Sequence, residues 1–427
     1  MSLKSIIVPA VTANITGVKR LNARRAAAEK ARKAAHAPHV VEYFHQVDDP
    51  YSHLTAQALV QLAARYDVEV RPYLVNPPED WAAPERERLK AYARLDSARL
   101  ADRSGLTFRH SGLQPSDEDI RRARGLLAAE VTSDGFLHKA VALGEALWSG
   151  AAVSSPTPEL EAAGEVAAAE GDARRKTLGH FMSAMTCYGG EWYWSIYRLH
   201  YLEERLAELK LRRPDASAPP IFAEPPVPFA TGRVSDPERQ VLRYYLSFRS
   251  PYTYIAAERA KALADAYGLE LRLRFVLPMV MRGLPVPPMK SMYFTLDTAR
   301  EARRVGVPFG RICDPVGKPV ERGYSLLPWA ISEGKGYDFC LAFMRGVWAN
   351  GVDAGGDSGM KQIVRAAGLD WDTARKLLGN DDWRAEAERN RQELLDLGHW
   401  GVPCFRVGDV IVWGQDRLWV IEDALRR

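Results

Sequence analysis

Three short stretches carry residue types and spacings that could do chemistry. Ser250-Pro251 follows the apolar, β-prone run 241–248, and 252–267 continues with helical spacing. That reads as a strand, an N-cap serine and a proline in the first helical turn. First-turn N–H groups point outward and the helix dipole favours negative charge. A hydroxyl there can therefore donate to a thiolate or other anion, or can serve as a plain N-cap. Val402-Pro403 opens a strand after a helical stretch. A cis proline at that place exposes the backbone of Val402, whose N–H and C=O could pair with an extended peptide; the alternative is an ordinary turn proline. In Gly414-Gln415-Asp416-Arg417, the Gln415 and Asp416 side chains could bind the ammonium and carboxylate of a small zwitterion. Asp416 could equally cap the last helix.

The elements that must position these residues follow from pattern. Strands are expected at 241–248 and 270–277, a helix at 290–305, and a helical block over 323–397 with segments at 325–333, 337–350, 358–367, 371–378 and 383–397. A hairpin, 402–407 with 410–413, and a closing helix, 417–425, complete the order β-α-β, helical block, β-β-α.

That order occurs twice. Tyr43-Phe44-His45-Gln46-Val47-Asp48-Asp49-Pro50-Tyr51 aligns with Tyr244-Tyr245-Leu246-Ser247-Phe248-Arg249-Ser250-Pro251-Tyr252, 201 positions on. The same offset carries Tyr66 onto Tyr267, Tyr92 onto Tyr293 and Asp96 onto Asp297. Near the ends the offset is 219: His180 falls on His399, Trp194 on Trp413, Arg198 on Arg417 and Glu203 on Glu422. The expected fold class is α/β, with two tandem thioredoxin-like domains, each bearing an inserted helical subdomain. The expected boundaries are a basic helical extension at 1–37, a first domain at 38–210, a Pro-rich, hydrogen-bond-poor linker at 211–238 and a second domain at 239–427. The first copy has lost the chemistry: Asp49 stands for the serine, Ala184 for the proline, and Ser195-Ile196-Tyr197 for Gly-Gln-Asp. A structural role is expected for it; the alternative is a different pocket around Asp48, Asp49, His45 and His53.

Composition sets the frame. In 427 residues, 47% are hydrophobic and 26% charged, as in soluble globular proteins. The net charge of +4 is too small to imply nucleic-acid binding by itself. No window approaches the roughly 18 apolar residues of a spanning helix, and the basic run 19–35 reads as a solvated helix. Cys187, Cys313, Cys340 and Cys404 show neither C-x-x-C nor zinc-ligand spacing, so no metal is expected and a reduced cytoplasmic setting fits.

Ser-Pro-Tyr-Thr-Tyr at 250–254, Gly-Val-Pro-Cys-Phe at 401–405 and Trp-Gly-Gln-Asp-Arg-Leu at 413–418 together resemble the DsbA-like family. Within it they resemble the branch of 2-hydroxychromene-2-carboxylate isomerases and kappa-class glutathione transferases. Lys290, Tyr293, Asp297 and Arg300 look like that branch's helix after the second strand. The resemblance covers the second copy fully and the first more weakly. It implies glutathione as cofactor. Ser250 would stabilise its thiolate, Val402 beside Pro403 would pair with the cysteinyl backbone, Gln415 and Asp416 would hold the γ-glutamyl end, and Lys290 would lie near the glycine carboxylate or a small-molecule substrate. The chain departs from the branch in its tandem architecture, in Cys404 after the proline, and in having Met281-Arg282-Gly283 where an asparagine is expected. Two other readings stand beside this one: a DsbA-like disulfide oxidoreductase lacking C-x-x-C, and a non-catalytic scaffold whose two copies pack as an intrachain pseudo-dimer. The chain is expected to be a monomer of that kind or a homodimer, with no nucleic-acid or membrane partner.

Overall fold

The computed structural model describes residues 3–216, 220–222, 229–234 and 236–426; the rest of the Pro-rich joint lies outside the described residues. It divides into an N-terminal unit, Arg24–Glu224, and a C-terminal unit made of Met1–Ala23 with Pro225–Arg427.

The chain begins with helices α1 (Leu3–Thr16) and α2 (Val18–Ala34). The N-terminal unit continues through β1 (Val40–His45), α3 (Pro50–Arg65), β2 (Glu69–Leu74), α4 (Arg86–Ser104), α5 (Asp117–Ala128), α6 (Phe136–Ser149), α7 (Pro158–Thr177), β3 (Met185–Tyr188), β4 (Glu191–Trp194) and α8 (Leu199–Glu208). The C-terminal unit holds β5 (Val241–Leu246), α9 (Pro251–Tyr267), β6 (Glu270–Phe275), α10 (Pro288–Arg304), α11 (Lys318–Ser332), α12 (Gly336–Arg345), α13 (Asp357–Ala366), α14 (Trp371–Leu377), α15 (Trp383–Asp396), β7 (Cys404–Val407), β8 (Val410–Trp413) and α16 (Leu418–Arg426).

Each unit has one four-stranded sheet, ordered β2-β1-β3-β4 or β6-β5-β7-β8. Registers agree at the offsets seen in the sequence. Val40 faces Glu69 as Val241 faces Glu270, Phe44 faces Met185 as Tyr245 faces Cys404, and Met185 faces Trp194 as Cys404 faces Trp413. The two leading strands β1 and β5 share one burial pattern, with their last three residues all buried, as a strand covered on both faces requires.

Four hydrogen bonds recur in both units. Tyr43 Oη donates to the Ser52 carbonyl at 2.6 Å and Tyr244 Oη to the Thr253 carbonyl at 2.5 Å, pinning the first turn of α3 or α9 to the preceding strand. Tyr51 Oη donates to Asp96 at 2.8 Å, and Tyr252 Oη to Asp297 at 2.7 Å. Tyr66 Oη donates to Glu203 at 3.0 Å, and Tyr267 Oη to Glu422 at 3.3 Å. The residue opening the last turn donates back to the residue opening the hairpin: Ser195 N to Ala184 O at 2.8 Å, Gly414 N to Pro403 O at 2.9 Å.

The helical block of the C-terminal unit is fastened to the sheet by aromatic packing. Phe248 stacks on Phe343 with centroids 4.2 Å apart, and Tyr324 Oη donates to the Val276 carbonyl at 2.7 Å. A Cβ on Gly323 would lie within 3 Å of both phenylalanine rings, which is why that helix carries glycine there.

Several boundaries differ from expectation. Helix α11 starts at Lys318 rather than at 325, with a proline in its first turn and Pro328 inside it. The helix expected to reach residue 350 leaves α geometry at Arg345 and finishes in a π-helical turn, Gly346–Asn350. Helix α1 packs on the C-terminal unit: Thr12 Oγ1 accepts from Ile312 N at 3.0 Å, and Arg303 donates to the Thr16 carbonyl at 3.0 Å. Where described, the joint is not poor in hydrogen bonds. Ile221 and Phe222 N–H donate to Glu203 at 2.9 and 3.0 Å, and Ala230 N–H donates to Glu422 at 2.7 Å. Among the described residues no helix is long and apolar enough to cross a membrane.

Candidate active site

Ser250 caps α9: its Oγ accepts from Thr253 N at 3.2 Å, and Pro251 occupies the first turn. The same Oγ donates to the Val402 carbonyl at 3.4 Å across 152 residues of chain. That length is beyond the usual range of a hydroxyl bond, so exchanging this acceptor for an incoming anion gives up little. The Val402-Pro403 peptide is cis. Val402 and Ser250 are both partly exposed, whereas Pro403 is buried. The bond from Gly414 N to Pro403 O brings the Gly414–Arg417 loop alongside, so the start of α9, the Val402-Pro403 turn and that loop meet in one place.

Gly414 has φ 113°, and a Cβ on it would stand 2.9 Å from Asp416 Oδ1, so the loop needs glycine for both reasons. Helix α16 begins at Leu418, and the Asp416 carboxylate lies 3.1 Å from the Arg417 guanidinium, both side chains being at least nine-tenths covered. Arg417 is thus held in a covered ion pair. Gln415 differs from its expected role. Its side chain is 2% exposed and turned inward: Oε1 accepts from Arg259 Nη2, and Nε2 donates to Glu301 at 2.6 Å. Both ends of its amide are engaged inside the protein.

Lys290 lies in the first turn of α10 and is 4% exposed. Burial lowers its pKa to about 8. Its Nζ sits 6.0 Å over the Phe294 ring, which meets Tyr252 edge-on at 5.8 Å. Through those two rings Lys290 shares the face of α9 that begins two residues after Ser250. The Cys404 thiol donates to the Gly401 carbonyl at 3.1 Å, and burial pushes its pKa well up, so it behaves as a small core residue rather than a nucleophile.

Sequence reasoning missed Arg259 and Glu301, which hold Gln415, and Arg282, whose guanidinium reaches the Trp400 carbonyl at 3.3 Å beside the Val402 turn. A signal for the first two was present. At the same offsets the N-terminal unit has Ala58 and Leu100, so polar residues stand where helical packing asks only for apolar ones.

In the N-terminal unit the corresponding space is closed. Asp49 caps α3 through Tyr51 N at 3.1 Å, and its other oxygen accepts from Ser52 Oγ at 3.0 Å and Ser183 Oγ at 2.9 Å. Ser183 occupies the position of Val402. Burial raises the Asp49 pKa to about 6 despite these three donors. His45 is held near 3 and His53 near 4, both by burial, so both imidazoles are neutral at pH 7. Among the described residues no three metal-capable side chains converge.

Residues 241–426 match the family model of the DSBA-like thioredoxin domain. Over one half of the chain there is homology to 2-hydroxychromene-2-carboxylate isomerases. The protein from Pseudomonas putida is 24% identical over 195 residues, 44% of this chain and 95% of that one. The protein from Sphingobium xenophagum is 24% identical over 196 residues, 44% of this chain and 98% of that one. Among solved structures, a 2-hydroxychromene-2-carboxylate isomerase matches at 22% identity over 44% of this chain and 95% of its own, with a TM-score of 0.37. The cytosolic disulfide reductase DsbM from Pseudomonas aeruginosa, solved with GSH, matches at 20% identity over 44% of this chain and all of its own, with a TM-score of 0.35. These relatives are isomerases and disulfide reductases, enzymes in the broad sense.

Proposed function

We propose that the C-terminal unit is a glutathione-dependent isomerase or transferase site, and that the N-terminal unit is a tandem duplicate of the same fold that has lost it. The observation that carries this reading is the approach of Ser250 Oγ, at the start of α9, to the Val402 carbonyl at 3.4 Å. A hydroxyl donor, a helix N-terminus and a strand-like backbone edge there face one another, with a carboxylate loop alongside. That donor set fits a short peptide thiol with a free amino end.

Ser250 turns its hydroxyl from Val402 O to the sulfur and, with the dipole of α9, favours the anion over the thiol. Val402 pairs its backbone with the cysteinyl residue. Asp416 offers its carboxylate to the γ-glutamyl amino group, while Gln415 contributes from beneath the loop rather than by contact. Lys290 and Arg282 supply positive charge for an anionic substrate. When bound, glutathione supplies a thiolate that adds to an electron-poor double bond and can leave again, with no net redox change. A disulfide-exchange reading lacks its chemistry here: Ser250-Pro251-Tyr252-Thr253 stands where a dithiol is needed, and Cys404 is buried with a raised pKa.

The test is the pH profile of alkylation of glutathione by iodoacetamide with the protein in excess. The expected result is an apparent thiol pKa lower than that of free glutathione, returning to the free value in Ser250→Ala. An unshifted profile in the wild type would sink the reading.

A further inference from the structure

Beneath the Gly414–Arg417 loop lies a buried polar group with no counterpart in the other unit. Arg259, Glu301 and Gln415 are 9%, 1% and 2% exposed. Arg259 from α9 grips the Gln415 amide oxygen, Glu301 from α10 grips its nitrogen, and Arg304 lies 3.3 Å from Glu301. The charge on Arg259 also acts on Asp416, the next residue of the loop. At the same offsets the N-terminal unit has Ala58, Leu100 and Ile196, at 0%, 4% and 4% exposure. Its backbone is otherwise alike: Ser195 N donates to Ala184 O as Gly414 N donates to Pro403 O, and a short 3-10 turn, Ile196–Arg198, leads into α8.

The fold therefore closes this corner with apolar side chains at all three of these positions. Buried ionic groups of this kind are often no better for stability than apolar packing of similar volume. Their presence only in the unit that keeps Ser250 and Pro403 points to the site rather than to folding.

We propose that Arg259 and Glu301 are positioning residues that clamp Gln415 from both sides. The clamp fixes the Gly414–Arg417 loop so that Asp416 presents its carboxylate to the cationic amino group of a bound γ-glutamyl peptide. This rests on the glutathione reading of the C-terminal unit. It adds that affinity for the amino end is set two layers below the ligand, and that thiol activation is set separately at Ser250.

The N-terminal unit supplies the test. In the full chain, Arg259, Glu301 and Gln415 are replaced together by the residues found there: Arg259→Ala, Glu301→Leu, Gln415→Ile. Calorimetry with glutathione should show a dissociation constant raised about tenfold or more, with far-UV dichroism and thermal midpoint close to wild type. The apparent pKa of the thiol at saturating glutathione should be unchanged, a split that loss of general integrity would not produce. Gln415→Met alone, which leaves Arg259 and Glu301 to each other, should weaken binding in the same direction. Wild-type affinity in either variant would overturn the proposal. So would an unfolded triple variant, since the clamp would then be needed for folding. A wild type that does not bind glutathione would overturn the underlying reading instead.

Discussion

At the start of α3 the N-terminal unit fills its own cleft: Asp49 reaches Ser183 at 2.9 Å and Ser52 at 3.0 Å. At the start of α9 the C-terminal unit leaves a serine making one long contact with the Val402 carbonyl at 3.4 Å. Around both places the scaffold bonds are the same, from the tyrosine on the leading strand to the glutamate of the last helix. The difference separates what holds the fold from what a site requires. Buried tyrosine–carbonyl and tyrosine–carboxylate bonds are needed wherever this sheet and these helices meet. The serine, the cis proline and the polar clamp are not, because one unit dispenses with all three.

The sharpest way to break that contrast is to remove the group unique to each side. Ser250→Ala should lower glutathione-dependent turnover by about 10²-fold or more, as loss of one donor to a developing anion does. Asp49→Ala should leave turnover within about twofold of wild type. Equal losses in a steady-state assay would mean that both units work.

The shared scaffold is tested next. Glu203 and Glu422 are 2% and 6% exposed; Glu203 accepts from Tyr66 and from the Ile221 and Phe222 N–H groups of the joint, and Glu422 from Tyr267 and the Ala230 N–H. Glu203→Ala and Glu422→Ala should each destabilise the unit that carries it by about 2–3 kcal/mol, chiefly by leaving a buried tyrosine hydroxyl unanswered. Hydrogen exchange resolved by unit would show it, and a large loss in one unit alone would contradict a common frame.

A third prediction concerns the plug. The Asp49 carboxyl titrates near 6 in the folded unit, above its ordinary value of 3.8. Proton binding therefore favours the fold. The contribution is complete below about pH 4 and is lost as pH rises through 6. Asp49→Asn should stabilise the N-terminal unit by about 2 kcal/mol near pH 7.5 and by little near pH 4. A constant difference across that range would show that the carboxylate is not desolvated.

The smallest effect belongs to Lys290. Its folded pKa of about 8 lies below the ordinary 10.5, so burying its charge costs stability at neutral pH. The cost fades as pH rises from 8 to 10.5, and the C-terminal unit should gain about 1–2 kcal/mol over that window. Lys290→Met should flatten the slope in chemical denaturation measured across it.

Much of the frame was legible in the sequence because strand register and helix caps are local properties. The offsets of 201 and 219 recur residue for residue in the strand pairings, and Ser250-Pro251 caps its helix as its types imply. Ser250 and Val402, 152 residues apart, also meet. The orientation of Gln415 was not legible. It depends on Arg259 and Glu301, 156 and 114 residues away, and helical periodicity tells which face is covered but not which polar group on it finds a partner. The same holds for the joint, whose backbone is taken up by the glutamate of each last helix, and for α1, whose threonines meet Ile312 and Arg303 across nearly 300 residues.

The most direct test of the central claim is the stoichiometry of glutathione binding to the full chain by calorimetry. The expected result is one site per chain, abolished by Asp416→Ala and unaffected by Asp49→Ala. Two equivalent sites, or one site that survives Asp416→Ala and is lost in Asp49→Ala, would contradict the division of roles between the units.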